Sequence, residues 1–462
     1  MKKSLLVCLI ALFGIPQMKA THLMGGEITV QQIANNTYVA AMLLYRDTTG
    51  INAPFSATLK LELNGAVVQT LAAPTVSSIS GTILPQYPYG VEVHLYVDTF
   101  VVSTPGSYTL SHTLCCRNGA IQNLSNPFSE SMTLITNFEV FPSTPNSTPF
   151  FLVPAAVFLP VNTPWQYNPL PFDMDGDSLH WSIDAPLGAN GYVAGFVLPS
   201  SNPSNPFSID PVTGTISWTA DMIGNFVASI LVDEYRNGVL IGSIRRDMQY
   251  IVVGTGSSPM IANNPNWNLN ANGVPSFQAY FGTPLQIQVI GQHPDSTAVL
   301  DMADYGELRL MNHPGYSFNY SATGNGSEIV GVLDWLPTAS DFRPEPYNVV
   351  LRVSDYLFTY DALFEITVGT NVGIPEELFN RLSLYPNPAS GFVNIDISRK
   401  TGTAAQLNVY SANGILVESR KLDALEAGQN FIVLPTNNLE LGMYYIELVT
   451  EDQRYCEKLL VR

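Results

Sequence analysis

The sequence predicts an all-β chain of tandem β-sandwiches, and three observations carry that expectation. Apolar and polar residues alternate over short segments, among them 37–45, 57–63, 91–102 and 108–115, the period-two pattern of strands with one buried face. Turn dipeptides punctuate these segments, as at Asn64-Gly65, Pro105-Gly106, Asn118-Gly119, Asn237-Gly238 and Asn413-Gly414; Asn-Gly suits the two-residue loop of an antiparallel hairpin. Composition agrees: 34 glycines, 33 prolines, 11% aromatic and only 13% charged residues make the chain too apolar for disorder and rich in turns. No helix-length amphipathic pattern competes.

At 462 residues the chain has room for about three or four domains. Residues 1–20 read as a secretory leader: Lys2-Lys3, an apolar run over 5–13, then Gly14, Pro16 and the small residue Ala20. The run is too short to span a bilayer, and Cys8 lies inside it rather than after it, which argues against a lipoprotein anchor. The most apolar later run, 150–159, is broken by Pro154 and fits a buried strand. The mature chain is therefore expected to be soluble and exported, with no transmembrane segment.

Residues 21–142 form the first expected β domain, and the Pro-, Ser- and Thr-rich tract 142–149 reads as a stiff extended linker. A second sandwich is expected over 150–254, with strands at 225–235 and 248–253 and a hairpin turn at Asn237-Gly238. The segment 260–369 repeats it in weakened form: Trp335 corresponds to Trp218 and Tyr356 to Tyr235, so loop lengths differ while strand order holds. After a break at 371–377, the last unit, 378–462, offers seven strands at 383–385, 392–397, 405–410, 416–421, 430–434, 443–449 and 456–461, enough for a small sandwich.

The formal charge of −18 becomes more negative once Lys2, Lys3 and Lys19 leave with the leader. Nucleic acid and anionic lipid both require a basic face, so neither is an expected partner, whereas cations are. Cleavage leaves Cys115, Cys116 and Cys456, an odd number with at least one thiol unpaired or paired between chains. Adjacent cysteines rarely bond each other; idle thiols and a disulfide both stay open. Zinc is disfavoured, because no Cys-x-x-Cys pair occurs and the six histidines are scattered.

The most distinctive stretch places Asp173, Asp175 and Asp177 around Gly176. Three carboxylates so close repel one another unless solvent or a cation lies between them. Residues 173–184 have the length of an EF-hand loop, but the glycine required at position six is Ser178 and no flanking helices are expected, so that motif is rejected. In an extended segment the alternation puts all three carboxylates on one side, where Ca²⁺ can take several oxygens. Asp210 and Glu234 are candidate co-ligands. A Ca²⁺ clamp and a solvated acidic turn are the two readings.

No catalytic constellation accompanies the loop. Clustered aspartates in a turn give no partition into the acid and base that a glycosidase needs. A Gly-x-Ser-x-Gly elbow is absent from the sequence, and His180 and His293 lie in unrelated contexts. Five tryptophans invite a sugar-stacking reading; the repeat favours core positions for Trp218 and Trp335, and leaves Trp267, in the Asn-rich stretch 263–272, as the candidate exposed contact.

Three resemblances add to this. The last unit resembles the C-terminal sorting domain of the type IX secretion system of the Bacteroidota, through Leu384-Tyr385-Pro386-Asn387-Pro388-Ala389, Leu407 to Tyr410 with Asn413-Gly414, Leu441-Gly442 with Tyr444, and the terminal Lys458 to Arg462. That resemblance implies passage through the outer membrane, recognition by the secretion machinery and, often, removal of the domain. Residues 21–254 look like the N-terminal part of large surface proteins of the same phylum described as gliding-associated or as carrying polycystic-kidney-disease-type domains. The matching residues are Thr21 to Glu27, Tyr45-Arg46-Asp47, Cys115-Cys116-Arg117-Asn118, Asp173 to Leu179, Glu234 to Gly238, Leu240 to Gly242 and Arg245-Arg246-Asp247. Relatives tend to carry further cysteines near Thr48 and Pro160, which this chain lacks. The segment 171–253 resembles the cadherin-like, immunoglobulin-like domains of bacterial surface proteins, through the Asp-x-Asp-Gly-Asp loop, the turn from Ile209-Asp210 to Thr213-Gly214-Thr215 and the acidic strand end Asp233-Glu234. It implies Ca²⁺ between neighbouring domains. The expected function is that of a secreted or cell-surface structural or adhesion protein, not an enzyme, with Ca²⁺ stiffening the second domain; the alternative is a carbohydrate-binding surface protein.

Overall fold

The computed structural model describes residues 23–80, 90–155, 158–199, 206–254, 256–324, 327–369, 382–399, 402–425, 428–450 and 454–462. The leader expected at 1–20 and the break expected at 371–377 lie outside them. Two compact units divide the chain at Gly369 and Thr370.

Seven strands open the first unit: β1 Leu23–Ala34, β2 Thr37–Asp47, β3 Ser56–Leu63, β4 Ala66–Ser80, β5 Val91–Val101, β6 Gly106–Cys115 and β7 Ser131–Val140. Alternation sets their faces. In β3, Ala57, Leu59 and Leu61 are buried between exposed Ser56, Thr58 and Lys60, as period-two side-chain direction requires. Three further strands come from the next segment, β8 Ser178–Asp184, β9 Gly224–Arg236 and β10 Val239–Val253. All ten lie in one sheet in the order β1-β2-β5-β4-β3-β6-β7-β10-β9-β8, and Phe158–Pro160 adds a parallel pairing on β10.

The sheet also closes on itself. Strand β10 pairs with β7 from Gly242–Phe138 to Ile244–Thr136, and with β1 at Gly25–Met248 and Gly26–Asp247. The first seven strands therefore make a barrel whose eighth stave is borrowed from a strand about a hundred residues further along, and closure removes the exposed edges that open sheets must otherwise protect. Ile28, Val30, Tyr38, Met42, Leu59, Leu110 and Phe138 fill its core. The closure explains the glycine pair near the start. A Cβ on Gly25 would run into the carbonyl oxygen of Asp247, and one on Gly26 into that of Leu43.

Two buried ion pairs fasten the borrowed stave. Arg246 grips Glu27 with N···O distances of 2.5 and 2.6 Å, and Arg117 grips Asp247 at 2.8 and 2.7 Å. Both are bidentate, the geometry that best offsets desolvation of the two charges. The tract 142–149, expected as a stiff extended linker, is a strap along β1. Asn146, Ser147 and Thr148 are buried. Thr148 N–H donates to the Val30 carbonyl (2.8 Å), Val30 N–H to Thr148 Oγ1 (2.9 Å), and Gln32 N–H to Ser147 Oγ (3.1 Å). The short polar side chains that suggest a linker serve here as ladder partners.

The third segment forms two facing four-stranded sheets. One joins Met260–Ile261, β12 Leu285–Gln292, β15 Glu328–Trp335 and β14 Tyr316–Ala322; the other joins β11 Ser276–Tyr280, β17 Thr359–Gly369, β16 Tyr347–Ser354 and β13 Asp301–Gly306. Val274, Val350 and Leu363 share a core with Trp165, Tyr167, Trp218 and Ile230, so it packs directly on the second. Trp218 and Trp335 are both buried, at 4% and 1% exposure. Trp267 is a correction to the exposed contact expected from its Asn-rich surroundings. It is half-buried: its ring stands edge-on to Phe364, with centroids 5.2 Å apart, and against Phe277, and packs on the core of this segment.

Cys115 and Cys116 are bonded to each other, contrary to the expectation for adjacent cysteines. The bridge joins Cys115, the last residue of the β6–β7 ladder and paired with Ser131, to the residue that follows it. Cys456 is the free, exposed cysteine among the described residues.

The second unit contains all seven expected strands: β18 Leu382–Ser390, β19 Phe392–Arg399, β20 Thr403–Ser411, β21 Leu416–Leu425, β22 Gly428–Pro435, β23 Gly442–Thr450 and β24 Arg454–Val461. They run in the order β21-β20-β23-β24-β18-β19-β22, a four-strand and a three-strand part joined at Ala389–Val461. Val393, Ile395, Leu407, Ile446 and Leu459 form its own core. No helix among the described residues is long and apolar enough to cross a membrane.

Candidate metal centre

The acidic loop leaves the two-residue strand Pro171–Phe172, which pairs with Phe150–Phe151, and enters β8. Gly176 sits at φ +82°, a left-handed conformation that glycine adopts at no steric cost. The turn brings ligand oxygens of Asp173, Asp175 and Asp177 within 4.8 Å of one another. At that spacing each pair of like charges repels by about 3 kcal/mol at an effective dielectric constant of about 20.

Each aspartate has its own task. Asp173 is 7% exposed. Its Oδ1 accepts the N–H groups of Asp175 (2.9 Å) and Asp177 (3.0 Å), while its Oδ2 is buried without a hydrogen-bond partner. Burial, helped by the charges of Asp177 and Asp175 and opposed by those two N–H donors, pushes its carboxyl up to about 6. Asp175 is exposed and accepts the Ser147 N–H at 2.6 Å. Asp177 is held by Arg236, at 2.8 Å from Nε and 2.5 Å from Nη2. The same guanidinium donates to the Pro145 carbonyl and to Asn146 Oδ1. Through Ser147, Pro145 and Asn146, the loop is bonded to the strap that runs along β1.

Glu234 lies beside these three aspartates on the neighbouring strand, although its oxygens are not among those that meet within 4.8 Å. It lies on β9 opposite Leu179 of β8, one pair beyond Ser178–Tyr235. Its side chain is fully buried, and neither carboxylate oxygen has a hydrogen-bond donor. It faces Asp173 and Asp177, both acceptors. Burial first, and those two carboxylates next, push its acid well above the usual carboxylate range. The sequence makes the space: Gly242 stands opposite Glu234 on β10, and a Cβ there would come 2.5 Å from Glu234 Oε2 and 3.0 Å from the Asn137 carbonyl. Gly242 was legible as part of a motif, but only the strand register reveals what its missing side chain accommodates.

Asp210, the fifth expected ligand, is not brought into the cluster. It starts the turn between Ser208–Ile209 and Ile216–Trp218. Its Oδ1 accepts the N–H groups of Val212 (2.9 Å) and Thr213 (2.7 Å), an Asx turn that engages the side chain locally. Arg236, by contrast, was not anticipated as the counter-ion. Its position two residues after Glu234 on one strand face was the available signal.

Three comparisons bear on this chain. The family described as "Secretion system C-terminal sorting domain" matches residues 383–462. No curated protein matches. Among solved structures, the cadherin-like domains 1 to 4 of zebrafish RET are similar at 11% identity, covering 87% of this chain and 95% of that one, with a TM-score of 0.20. The ICAM-5 D1–D4 ectodomain fragment is similar at 13% identity, over 93% and 96%, with a TM-score of 0.17. An endo-fucoidan hydrolase of glycoside hydrolase family 107 is similar at 13% identity over 68% of this chain and 44% of that one, with a TM-score of 0.16. At such TM-scores none of these likenesses carries an argument, and the all-β assignment rests on the strands and sheets themselves. The C-terminal unit is what places the protein: it carries a type IX secretion-system sorting domain over 383–462, the element recognised by that secretion machinery, and the chain is a secreted, cell-surface protein.

Proposed function

We propose that this is a non-enzymatic structural or adhesion protein of the cell surface, in which Ca²⁺ bound by Asp173, Asp175, Asp177 and Glu234 locks the strap 142–149 against the second segment. Glu234 carries the reading. A fully buried carboxylate with two unpartnered oxygens beside two further carboxylates is costly, and a hard divalent cation is the ligand that makes use of all of them. Arg236 neutralises Asp177 alone. Ca²⁺ takes six to eight oxygens at flexible geometry, which a loop-plus-strand set can supply together with water. The metal contributes charge neutralisation. The protein's own residues supply the mechanics, because Asp175 and Arg236 tie the ligand loop to Ser147, Pro145 and Asn146.

Thermal unfolding of the exported chain in Ca²⁺ and in chelator tests this. Ligand binding to the native state alone adds about 2.7 kcal/mol at a hundredfold excess over Kd, and proteolytic cleavage within 142–149 should slow in parallel. Identical melting curves, with identical cleavage, would remove the metal from the account. Deleting residues 378–462 should leave the protein in the periplasm; normal surface delivery of that deletion would contradict its proposed dependence on the sorting domain.

A further inference from the structure

We infer that the cation site opens onto a ligand cleft and that the cleft takes a neutral glycan, which binds through a pair of adjacent hydroxyl groups on Ca²⁺. The inference rests on the Ca²⁺ reading above and adds the ligand. Beside the acidic loop lies a cleft of about 430 Å³ between the second and third segments, walled by Asp173, Asp177 and Trp181 on one side and by Glu345 and Asn348 on the other. That volume suits one or two sugar rings.

Three features of the walls set the chemistry. Asp173 and Asp177 are at once cluster members and cleft walls, so a cation held there faces the cleft. Positions on Ca²⁺ not filled by protein oxygens are filled by water or by ligand oxygens, and two adjacent hydroxyls replace two waters without changing the charge. Secondly, the polar groups are mostly acceptors: Arg343 also lines the cleft, but its guanidinium is held by the Glu307 carboxylate and by the carbonyls of Glu345 and Pro346. Asp173 Oδ2 and Asn348 Oδ1 are both buried and without a partner, and the exposed Glu345 adds a third acceptor. A ligand that fits must bring hydroxyl donors, and an acidic or sulfated glycan would meet carboxylates on both walls. Thirdly, the Trp181 ring lines the cleft, offering the flat apolar surface on which the C–H face of a sugar packs.

The test uses the full exported chain and four probes, the methyl glycosides of mannose, galactose, fucose and glucose, which between them present cis and trans adjacent hydroxyls. Each is titrated calorimetrically in Ca²⁺ and in chelator, with a Ca²⁺ titration run separately. The expected result is binding of at least one probe at millimolar concentration in Ca²⁺, none in chelator, and a loss of about tenfold or more in affinity for Trp181→Ala and Asn348→Ala. Asn348→Ala guards against a Trp181 variant that fails to fold, and near-ultraviolet circular dichroism reports on both. Ca²⁺ binding with silence of all four probes overturns the glycan inference and leaves the metal reading standing. Silence to Ca²⁺ and to the probes overturns both. Sugar binding that persists in chelator, or that survives both substitutions unchanged, overturns the coordination and the site.

Discussion

Replacing Glu234 by glutamine removes an ionisable group and almost no volume. In the wild type, burial and the Asp173 and Asp177 carboxylates raise the Glu234 acid from its ordinary 4.5 to about 9. The native state therefore keeps a proton that the unfolded chain releases above pH 4.5, so metal-free stability is greatest below that value and falls as pH rises toward the native one. At 1.4 kcal/mol per unit of pH, the loss between pH 4.5 and 7 is about 3 kcal/mol. Glutamine has no such dependence, and its amide supplies donors to Asp177. In Ca²⁺-free buffer Glu234→Gln should thus match the wild type near pH 4.5 and exceed it by roughly 1–3 kcal/mol at pH 7. With Ca²⁺ the order reverses, since the variant lacks the charge the cation needs. Urea unfolding followed by tryptophan fluorescence measures this, because all five tryptophans precede Gly369 and report on the first unit. A variant with the wild-type pH slope, or one that keeps the full Ca²⁺ increment, would refute the reasoning.

Further outcomes follow from the same contacts. Arg117→Ala strands Asp247, which is 0% exposed, and should cost about 3–5 kcal/mol; Arg117→Met combined with Asp247→Leu should recover much of that in the urea midpoint. A fragment ending at residue 155 lacks β10, so it should show no cooperative unfolding transition in circular dichroism, while residues 382–462, with their own core, should melt as a unit. Trp267→Ala should lower stability by about 2–4 kcal/mol through lost packing on Phe277 and Phe364, read as a shift in melting temperature.

Local patterns were legible and long-range ones were not. The seven C-terminal strands follow from alternation and from Asn413-Gly414, because hairpin pairing depends on neighbours in sequence. The acidic loop was equally plain, and Glu234 was reachable as the acidic end of a strand. Asp210 misled because an aspartate that caps its own turn has the same sequence signature as one that ligates. The strap misled because Ser147 and Thr148 look like linker residues until β1 supplies partners for them. Nothing local in Val239–Val253 says that one of its edges completes another barrel; that information lies in the registers Gly26–Asp247 and Gly242–Phe138.

The borrowed stave also dictates an order of events. During synthesis or translocation from the N-terminus, β1 and β7 stand as the two unsatisfied edges of a curled sheet until residues 239–248 arrive. The first module is therefore the first to be delivered and cannot be the first to finish. Such a chain gains from delayed folding, because an early collapse would leave both edges open to neighbouring copies. Its completed state is correspondingly hard to unravel from the front. Pulling Leu23–Ala34 away must break hydrogen bonds to β2, to the strap and to β10 together.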